Sequence, residues 1–291
     1  MSISFRSQAG KNNSFTYTPF FRPEQLGNLT VWLNMDSDSA IFDNDGKLTE
    51  WRDKLRYIAP DKGNPAQGYY IPGLSKREPT LTTFGNGNGI QFDPSNYMVS
   101  QANVTLTTSD SCTIFIVGVF DPDENGVIFS FLTPSLVPGS TSGQGILFYN
   151  KDTTPPTTMG SFDVVAFAST ESTMANTPGV LIFTINPGSG NLNISVNANT
   201  AGSINRDGIE SLNGGKTIYI GHSDPLNSDN PFSGKIAEIL VYDSVVAIDK
   251  VAAYLGQKWG FGSQISGLFA DTRVFYPIRS GPIFTFNPRV P

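Results

Sequence analysis

The sequence predicts an all-β protein built as a two-sheet antiparallel sandwich, and three observations lead to this class. Short apolar or alternating runs recur along the 291 residues at the spacing expected of sandwich strands. Glycine and proline are abundant, at 29 and 20 residues, and supply the turns that short strands require. Only one segment, near the C-terminus, has the apolar spacing of a helix.

The run that follows the Gly234 turn is predicted to close the sandwich. It is apolar on both faces except for Glu238, which is typical of a strand buried on both sides. Strict alternation of side chains assigns its residues to two faces. One face is expected to hold Ile236, Leu240 and Tyr242, and the other Ala237, Ile239 and Val241.

A short amphipathic helix is predicted directly after this strand. Its charges suit the helix dipole, with Asp249 near the start and Lys258 in the last turn. Gly260 follows as a glycine C-cap. The apolar stripe consists of Val251, Tyr254, Leu255 and Trp259.

The opening of the sandwich combines a strand with an acidic hairpin. Residues 29–35 alternate as a half-buried strand should. An acidic loop leads to the turn signal Asp45-Gly46, and Trp51 and Asp53 then stand in the order Trp-x-Asp.

These opening and closing segments resemble laminin-G-like jelly rolls of the concanavalin A-like lectin/glucanase superfamily. The run 87–93, GNGIQFD, is similar to a family segment in which an apolar strand leads to an aspartate. The resemblance covers about residues 26–262 and departs at 54–57, where KLRY replaces Ser-Gly-Asn-Gly, and at Ala198, where the family often has glycine. It implies a two-sheet antiparallel jelly-roll sandwich of the concanavalin A-like kind, with one short C-terminal helix and extended terminal arms.

Strand-like runs bounded by turn residues fill the middle of the chain. The remaining predicted strands are 80–84, 89–93, 97–100, 112–120, 127–132, 145–149, 162–168, 180–186, 192–197 and 217–221.

The chain divides into an N-terminal extended arm, residues 1–25, a jelly-roll domain, residues 26–262, and a C-terminal extended arm, residues 263–291. Neither arm has a regular period. Burying one phenylalanine stabilises by ~1.5–3 kcal/mol, so aromatic arms suit contacts with neighbouring subunits, by strand addition or in a groove. The aromatic anchors are Phe5, Phe15, Tyr17, Phe20 and Phe21 in the first arm, and Phe269, Phe275, Tyr276, Phe284 and Phe286 in the second.

Catalytic and metal-binding motifs are sparse. His222 is the sole histidine and lacks the Gly-x-Ser-x-Gly elbow of a hydrolase, so we expect it to hydrogen-bond locally in a loop. Cys112 is the sole cysteine and lies in an apolar run, which predicts a buried, inert thiol. One histidine and one cysteine do not make a zinc site. We predict no catalytic, cofactor-binding or metal residue.

Glycoside hydrolysis is the enzymatic alternative, because the superfamily includes glucanases. That reaction needs two carboxylates on either side of the scissile bond. The nearest approach is 121–126, DPDENG, which proline and glycine mark as a turn. Glu238 stands alone on its strand, and we expect it to hydrogen-bond a loop or an arginine. We therefore expect that the protein is not an enzyme.

Calcium is the metal that the acidic loop suits best, because Asp36, Asp38, Asp43 and Asp45 are hard oxygen donors within ten residues. An EF-hand frame fails because its first ligand would be Ile41. The alternative is that these aspartates serve turns and solvent. We expect no cofactor, with calcium as the exception to test.

The net charge and the lack of targeting signals limit the classes of partner and the expected location of the protein. The net charge of −6, with no cluster of basic residues, disfavours nucleic acid. The first residues lack a secretory signal, and no apolar run reaches the ~18 residues of a membrane span. We expect synthesis in the cytoplasm and a place in a virion.

The leading functional prediction is a non-enzymatic structural or attachment protein, such as a minor capsid, spike or fibre protein. Laminin-G-like jelly rolls of this type occur in virus and phage particles and in bacterial surface proteins, and the arms suit assembly, including homo-oligomers. The alternative is a carbohydrate-binding, lectin-like module, and a glycoside hydrolase is the third reading. The tyrosines considered for sugar stacking are Tyr57, Tyr69, Tyr70 and Tyr149.

Overall fold

A computed structural model describes the larger part of the chain. The described residues are 21–35, 37–55, 69–73, 78–101, 104–106, 111–120, 126–132, 145–151, 158–161, 177–186, 191–205, 214–222, 232–262 and 265. They form seventeen strands, a short 3-10 helix at Pro23–Leu26 and one α-helix, α1, at Ile248–Trp259.

The strands are short, as turn-rich composition requires. Their bounds are β1 Leu29–Leu33, β2 Ala40–Phe42, β3 Leu48–Arg52, β4 Tyr69–Pro72, β5 Thr80–Phe84, β6 Gly87–Phe92, β7 Met98–Ser100, β8 Val104–Leu106, β9 Cys112–Phe120, β10 Gly126–Leu132, β11 Gly145–Lys151, β12 Thr158–Ser161, β13 Gly179–Asn186, β14 Asn191–Val196, β15 Asn199–Asn205, β16 Gly214–Ile220 and β17 Gly234–Tyr242.

The strands form two sheets, and every pairing between described strands is antiparallel. Sheet A has the order β15-β14-β13-β9-β17-β6-β5, with β1 paired to β17. Sheet B has the order β12-β11-β10-β16-β7-β4-β3-β2, with β8 paired to β16. Strands distant in sequence are neighbours in each sheet, as in a jelly roll. The predicted fold class, a two-sheet antiparallel jelly-roll sandwich with one short C-terminal helix, is confirmed.

Two apolar clusters stabilise the fold. The first joins strands of both sheets and is built from alternate residues of their central strands. The second lies on the opposite face of sheet A, where α1 packs with the buried side of its stripe. The residues that α1 contributes are Val251, Ala252, Leu255 and Trp259. The central strands of sheet A are therefore buried on both faces, which explains why β9, β13 and β17 read as continuous apolar runs.

A β-bulge in β17 changes the predicted assignment of its faces. The pairing with β9 shifts register between Ile236 and Glu238, so Ala237 and Glu238 together oppose one step of the partner strand. Ile236 therefore joins Ile239 in the cluster between the sheets, and Ala237 lies in the cluster beneath α1. The alternation predicted for Ile236 and Ala237 is wrong, because the extra residue inverts the faces at that point.

The turn between β5 and β6 holds the end of α1. Gly85 and Asn86 form a two-residue loop, with Gly85 at φ 50° in the left-handed region. The Asn86 N–H donates to the Trp259 carbonyl oxygen at 3.3 Å, which satisfies one of the open carbonyls at the helix C-terminus. Gly260 ends the helix in the left-handed conformation that the sequence predicted.

β4, β8, β12 and β15 were not predicted from the sequence pattern, and the predicted strand 162–168 lies outside the described residues. Of the predicted arms, the structure describes only residues 21–25 of the first and residue 265 of the second. Phe21 meets Tyr254 edge to face at 6.1 Å, and Ile265 packs in the cluster beneath α1. The anchors at 1–20 and 266–291 lie outside the described residues.

Candidate functional site

Glu238 is the centre of a buried polar network between β1, β17 and α1. Its side chain is fully buried, and its two carboxylate oxygens each accept an indole N–H at 2.7 Å, from Trp32 and from Trp259. Lys258 Nζ lies 2.8 Å from the second oxygen and 5.2 Å from the centre of the Trp259 ring. The charge is therefore paired and hydrogen-bonded, as a buried carboxylate requires.

This arrangement is structural. The prediction that Glu238 makes structural hydrogen bonds is confirmed, but its partners are two indoles and a lysine, not a loop or an arginine. The β17 bulge brings the carboxylate to the helix side of sheet A, where both tryptophans lie. The segment 121–125 of the glycosidase alternative lies outside the described residues.

The acidic hairpin uses one of its aspartates to form its own turn. Asp43 Oδ1 accepts the backbone N–H groups of Asp45 and Lys47, both at 2.9 Å. Asp36 lies outside the described residues. Within the part of the chain that the structure describes, no group of three or more His, Cys, Asp or Glu side chains could hold a metal ion. Asp43 thus has the turn role that was the alternative to calcium.

His222 and Cys112 are both buried. The His222 ring packs on Tyr97 at 5.3 Å, and its carbonyl oxygen accepts the Ser130 hydroxyl at 3.3 Å. Cys112 begins β9 and belongs to the cluster between the sheets, which confirms the predicted buried thiol.

The tyrosines considered for sugar stacking differ in where the structure places them. Tyr70 is fully buried between the sheets, paired across strands with Trp51, so the expectation that it is exposed for stacking is wrong. Tyr69 and Tyr149 lie in β4 and β11, and Tyr57 lies outside the described residues. Tyr70 is buried because side chains alternate between the two faces of a strand, and in β4 its side chain points between the sheets.

A different set of side chains lines the outer face of sheet B. Tyr219 of β16 pairs with Val99 of β7, and Val99 pairs with Ile71 of β4. Each has at least one chain neighbour in the cluster between the sheets, so these three point outward, and all three are half-buried. The neighbours in that cluster are Tyr70, Met98, Ile218 and Ile220. We call Tyr219, Val99 and Ile71 the outer rung.

A charged pair continues this face onto β3. The register that pairs Trp51 with Tyr70 brings Glu50 beside Ile71 at the next step. Arg52 donates to both oxygens of Glu50, from Nε at 2.8 Å and from Nη2 at 3.1 Å. Since the side chains are only 31% and 23% exposed, this two-bond geometry neutralises both charges locally. Four neighbouring strands span about 14 Å, the scale of a short oligosaccharide.

The outer rung was not predicted from the sequence. Its members belong to three separate strands, and two of these strands, β4 and β7, are short. The signal that could have found it is the alternation in the run 217–220, which places the Tyr219 side chain on the face opposite to Ile218 and Ile220.

None of the helices in the described ranges has the length and apolar character needed to cross a membrane.

No protein-family model matches the chain, and no curated protein sequence matches it. Among solved structures, a sialidase of Trypanosoma rangeli matches with a TM-score of 0.50 and 10% identity, over 79% of this chain and 33% of the sialidase. Domain 4 of an extracellular arabinanase from Geobacillus stearothermophilus matches with a TM-score of 0.48 and 15% identity, over 77% and 97% of the two chains. A carbohydrate-binding domain of a Ruminococcus gnavus sialidase matches with a TM-score of 0.42 and 11% identity, over 57% and 95%. At 10% identity the likeness to the Trypanosoma sialidase bears on the fold alone, and it agrees with the two-sheet jelly-roll sandwich described above.

Proposed function

We propose that this protein is a non-enzymatic, lectin-like module that binds neutral glycans on the outer face of sheet B. The observation that carries the proposal is the outer rung, in which a half-buried tyrosine stands beside two aliphatic side chains. The face of a sugar ring is apolar and its edge is polar, so an aromatic side chain with a polar tip suits it.

The two sheets differ in the surface that they offer a ligand. The face of sheet A that points away from sheet B is packed beneath α1. In the described ranges, no helix packs on the corresponding face of sheet B. The outer face of sheet B is partly accessible at Glu50, Ile71, Val99 and Tyr219, which are half-buried. Beside them Tyr97 is buried and packs on the Tyr219 ring at 6.4 Å between centroids.

The charges on this face favour a neutral ligand. Glu50 and Arg52 neutralise each other through two hydrogen bonds, so the guanidinium already has a carboxylate partner. The chain as a whole has a net charge of −6, which repels acidic sugars.

The absence of catalysis is part of the proposal. Hydrolysis of a glycosidic bond needs two carboxyl groups that reach the same sugar. Glu238 is buried beneath α1 and Glu50 is engaged by Arg52, so these two do not form such a pair.

We also propose, from the family resemblance, that the chain is laminin-G-like and serves as a structural or attachment component of a virion. The predicted arms would bind neighbouring subunits in that role. Sedimentation that finds a monomer at every concentration would count against this part.

A glycan array tests the binding proposal. We expect the protein to bind neutral glycans equally in calcium and in a chelator, because Asp43 already accepts two backbone N–H groups. Tyr219→Ala removes the aromatic face and should weaken binding about tenfold or more, since stacking on an aromatic is worth on the order of 1–3 kcal/mol.

Two further variants make the array decisive. Val99→Lys adds a long side chain to the outer rung and should also weaken binding. Leu81→Ala truncates an exposed side chain on β5, the edge of sheet A, and should leave binding unchanged. Equal loss in Leu81→Ala and Tyr219→Ala, or no binding to any glycan, would reject the proposal.

A further inference from the structure

Tyr97 is a large, buried aromatic side chain that belongs to neither apolar cluster. It is 3% exposed, yet among the described residues it is part neither of the cluster between the sheets nor of the cluster beneath α1. Burying a side chain costs conformational entropy, so contacts elsewhere have to hold this ring in place. Those contacts lie on the outer face of sheet B.

The strand register places Tyr97 beside Tyr219 of the outer rung. Val99 of β7 pairs with Tyr219 of β16. Tyr97 stands two residues before Val99, so its side chain points to the same face of the sheet. This makes Tyr97 the diagonal neighbour of Tyr219, a relation that aromatic side chains can span. The two ring centres are 6.4 Å apart, with the rings tilted by 53°, so the rings pack on each other.

The Tyr97 ring lies against the backbone of Gly73, the residue that follows β4. The Gly73 N–H donates to the Tyr97 carbonyl oxygen at 3.0 Å, which continues the pairing of β4 with β7 by one step. A Cβ at position 73 would overlap the Tyr97 ring at Cζ and at the hydroxyl oxygen. Any residue other than glycine at this position would therefore displace the ring.

His222, which follows β16, is a further contact of the Tyr97 ring. The two ring centres are 5.3 Å apart, and His222 is buried as well. The His222 carbonyl oxygen accepts the hydroxyl of Ser130, the β10 residue that pairs with Tyr219. The Tyr97 ring is thus held by a glycine backbone and by a buried imidazole, and Tyr219 packs on a ring that is itself fixed.

A fixed neighbour matters for Tyr219 because this side chain is only half-buried. A partly exposed side chain that is mobile before binding has to be immobilised when a ligand stacks on it, and this costs affinity. Packing that locks the rotamer beforehand removes part of that cost.

We propose that Tyr97 is a positioning residue of the glycan site, whose buried ring, packed against Gly73 and His222, holds the Tyr219 ring in the orientation that receives the sugar. This inference rests on the proposed function, since it assigns a role at the same surface. Tyr97 is buried and acts only through Tyr219. Loss of this support should weaken glycan binding by about two- to tenfold, which corresponds to immobilising one side chain.

Three variants test the proposal in the full chain, with the neutral oligosaccharide selected on the array. Tyr97→Leu removes the ring, keeps an apolar side chain and should weaken binding by about two- to tenfold. Gly73→Ala displaces the ring without altering Tyr97, and should weaken binding in the same way. Tyr97→Phe keeps the ring and should bind as the wild type does.

The order parameter of the Tyr219 ring, measured by carbon relaxation NMR in the ligand-free protein, separates positioning from general destabilisation. It should fall in Tyr97→Leu and in Gly73→Ala, and keep its wild-type value in Tyr97→Phe. Gly85→Ala is the control, because a Cβ there would meet the Trp259 backbone at the end of α1, away from sheet B. This variant should destabilise the fold and change neither the order parameter nor the affinity.

Two results would overturn the role of Tyr97 and leave the glycan site standing. One is wild-type affinity in Tyr97→Leu, and the other is an unchanged Tyr219 order parameter in that variant. If one of the two disruptive variants does not fold, the other decides by the same two measurements. Absence of glycan binding by the wild-type protein would reject the glycan site and the role of Tyr97 together.

Discussion

Replacing Glu238 by alanine is expected to lower the free energy of unfolding by about 3–5 kcal/mol, the range for breaking a buried, paired charge. The change strands the indole N–H groups of Trp32 and Trp259, and it removes the partner of Lys258. It also cuts the polar contact between β1, β17 and α1. Urea unfolding at neutral pH measures this loss.

Two variants separate the contribution of the hydrogen-bond network to stability from the contribution of the Glu238 side-chain volume. Glu238→Gln keeps the shape and one carbonyl acceptor, and should cost less than Glu238→Ala. Lys258→Met leaves the fully buried Glu238 carboxylate with its two indole donors but without a cation, and should also destabilise the fold. A loss below 1 kcal/mol in Glu238→Ala would show that the network contributes little.

Replacing Gly85 by alanine is expected to cost about 2–4 kcal/mol. The left-handed backbone of a residue other than glycine accounts for roughly 1–2 kcal/mol of this and forced contact for the rest. A Cβ at this position would lie 2.0 Å from the Trp259 carbonyl oxygen, which is backbone and cannot rotate away. The β5–β6 turn would have to leave the end of α1.

Gly46 provides the matched control. It is also left-handed, at φ 74°, but a Cβ there would meet only Leu81 Cβ, at 4.0 Å. Gly46→Ala should therefore cost only the backbone part, about 1–2 kcal/mol. Equal losses of thermal stability in the two variants would mean that the contact with Trp259 does not matter.

The fold followed from the sequence because its long central strands carry a strong local signal. β9 and β17 are apolar on both faces, and such runs are read without knowledge of their partners. The faces of β17 were assigned incorrectly at Ile236 and Ala237, because a bulge depends on the partner strand and leaves no period in the sequence.

The candidate site depends on long-range register, which the sequence pattern does not contain. Tyr70 and Tyr219 look alike as isolated tyrosines, yet the first is buried beside Trp51 and the second lies half-buried on the outer face. Similarly, Asp43 and Asp53 both occur near the acidic hairpin. One forms a surface turn, whereas the other is buried and holds Trp32.

The central claim is that glycans bind the outer rung, and methyl NMR of the wild-type protein tests it most directly. Titration with a neutral oligosaccharide selected on the array should shift the methyl signals of Ile71 and Val99, and leave those of Leu81 and Val245 in place. The last two are exposed but lie on β5 and after β17, away from sheet B. Shifts confined to Leu81 or Val245, with Ile71 and Val99 unchanged, would contradict it.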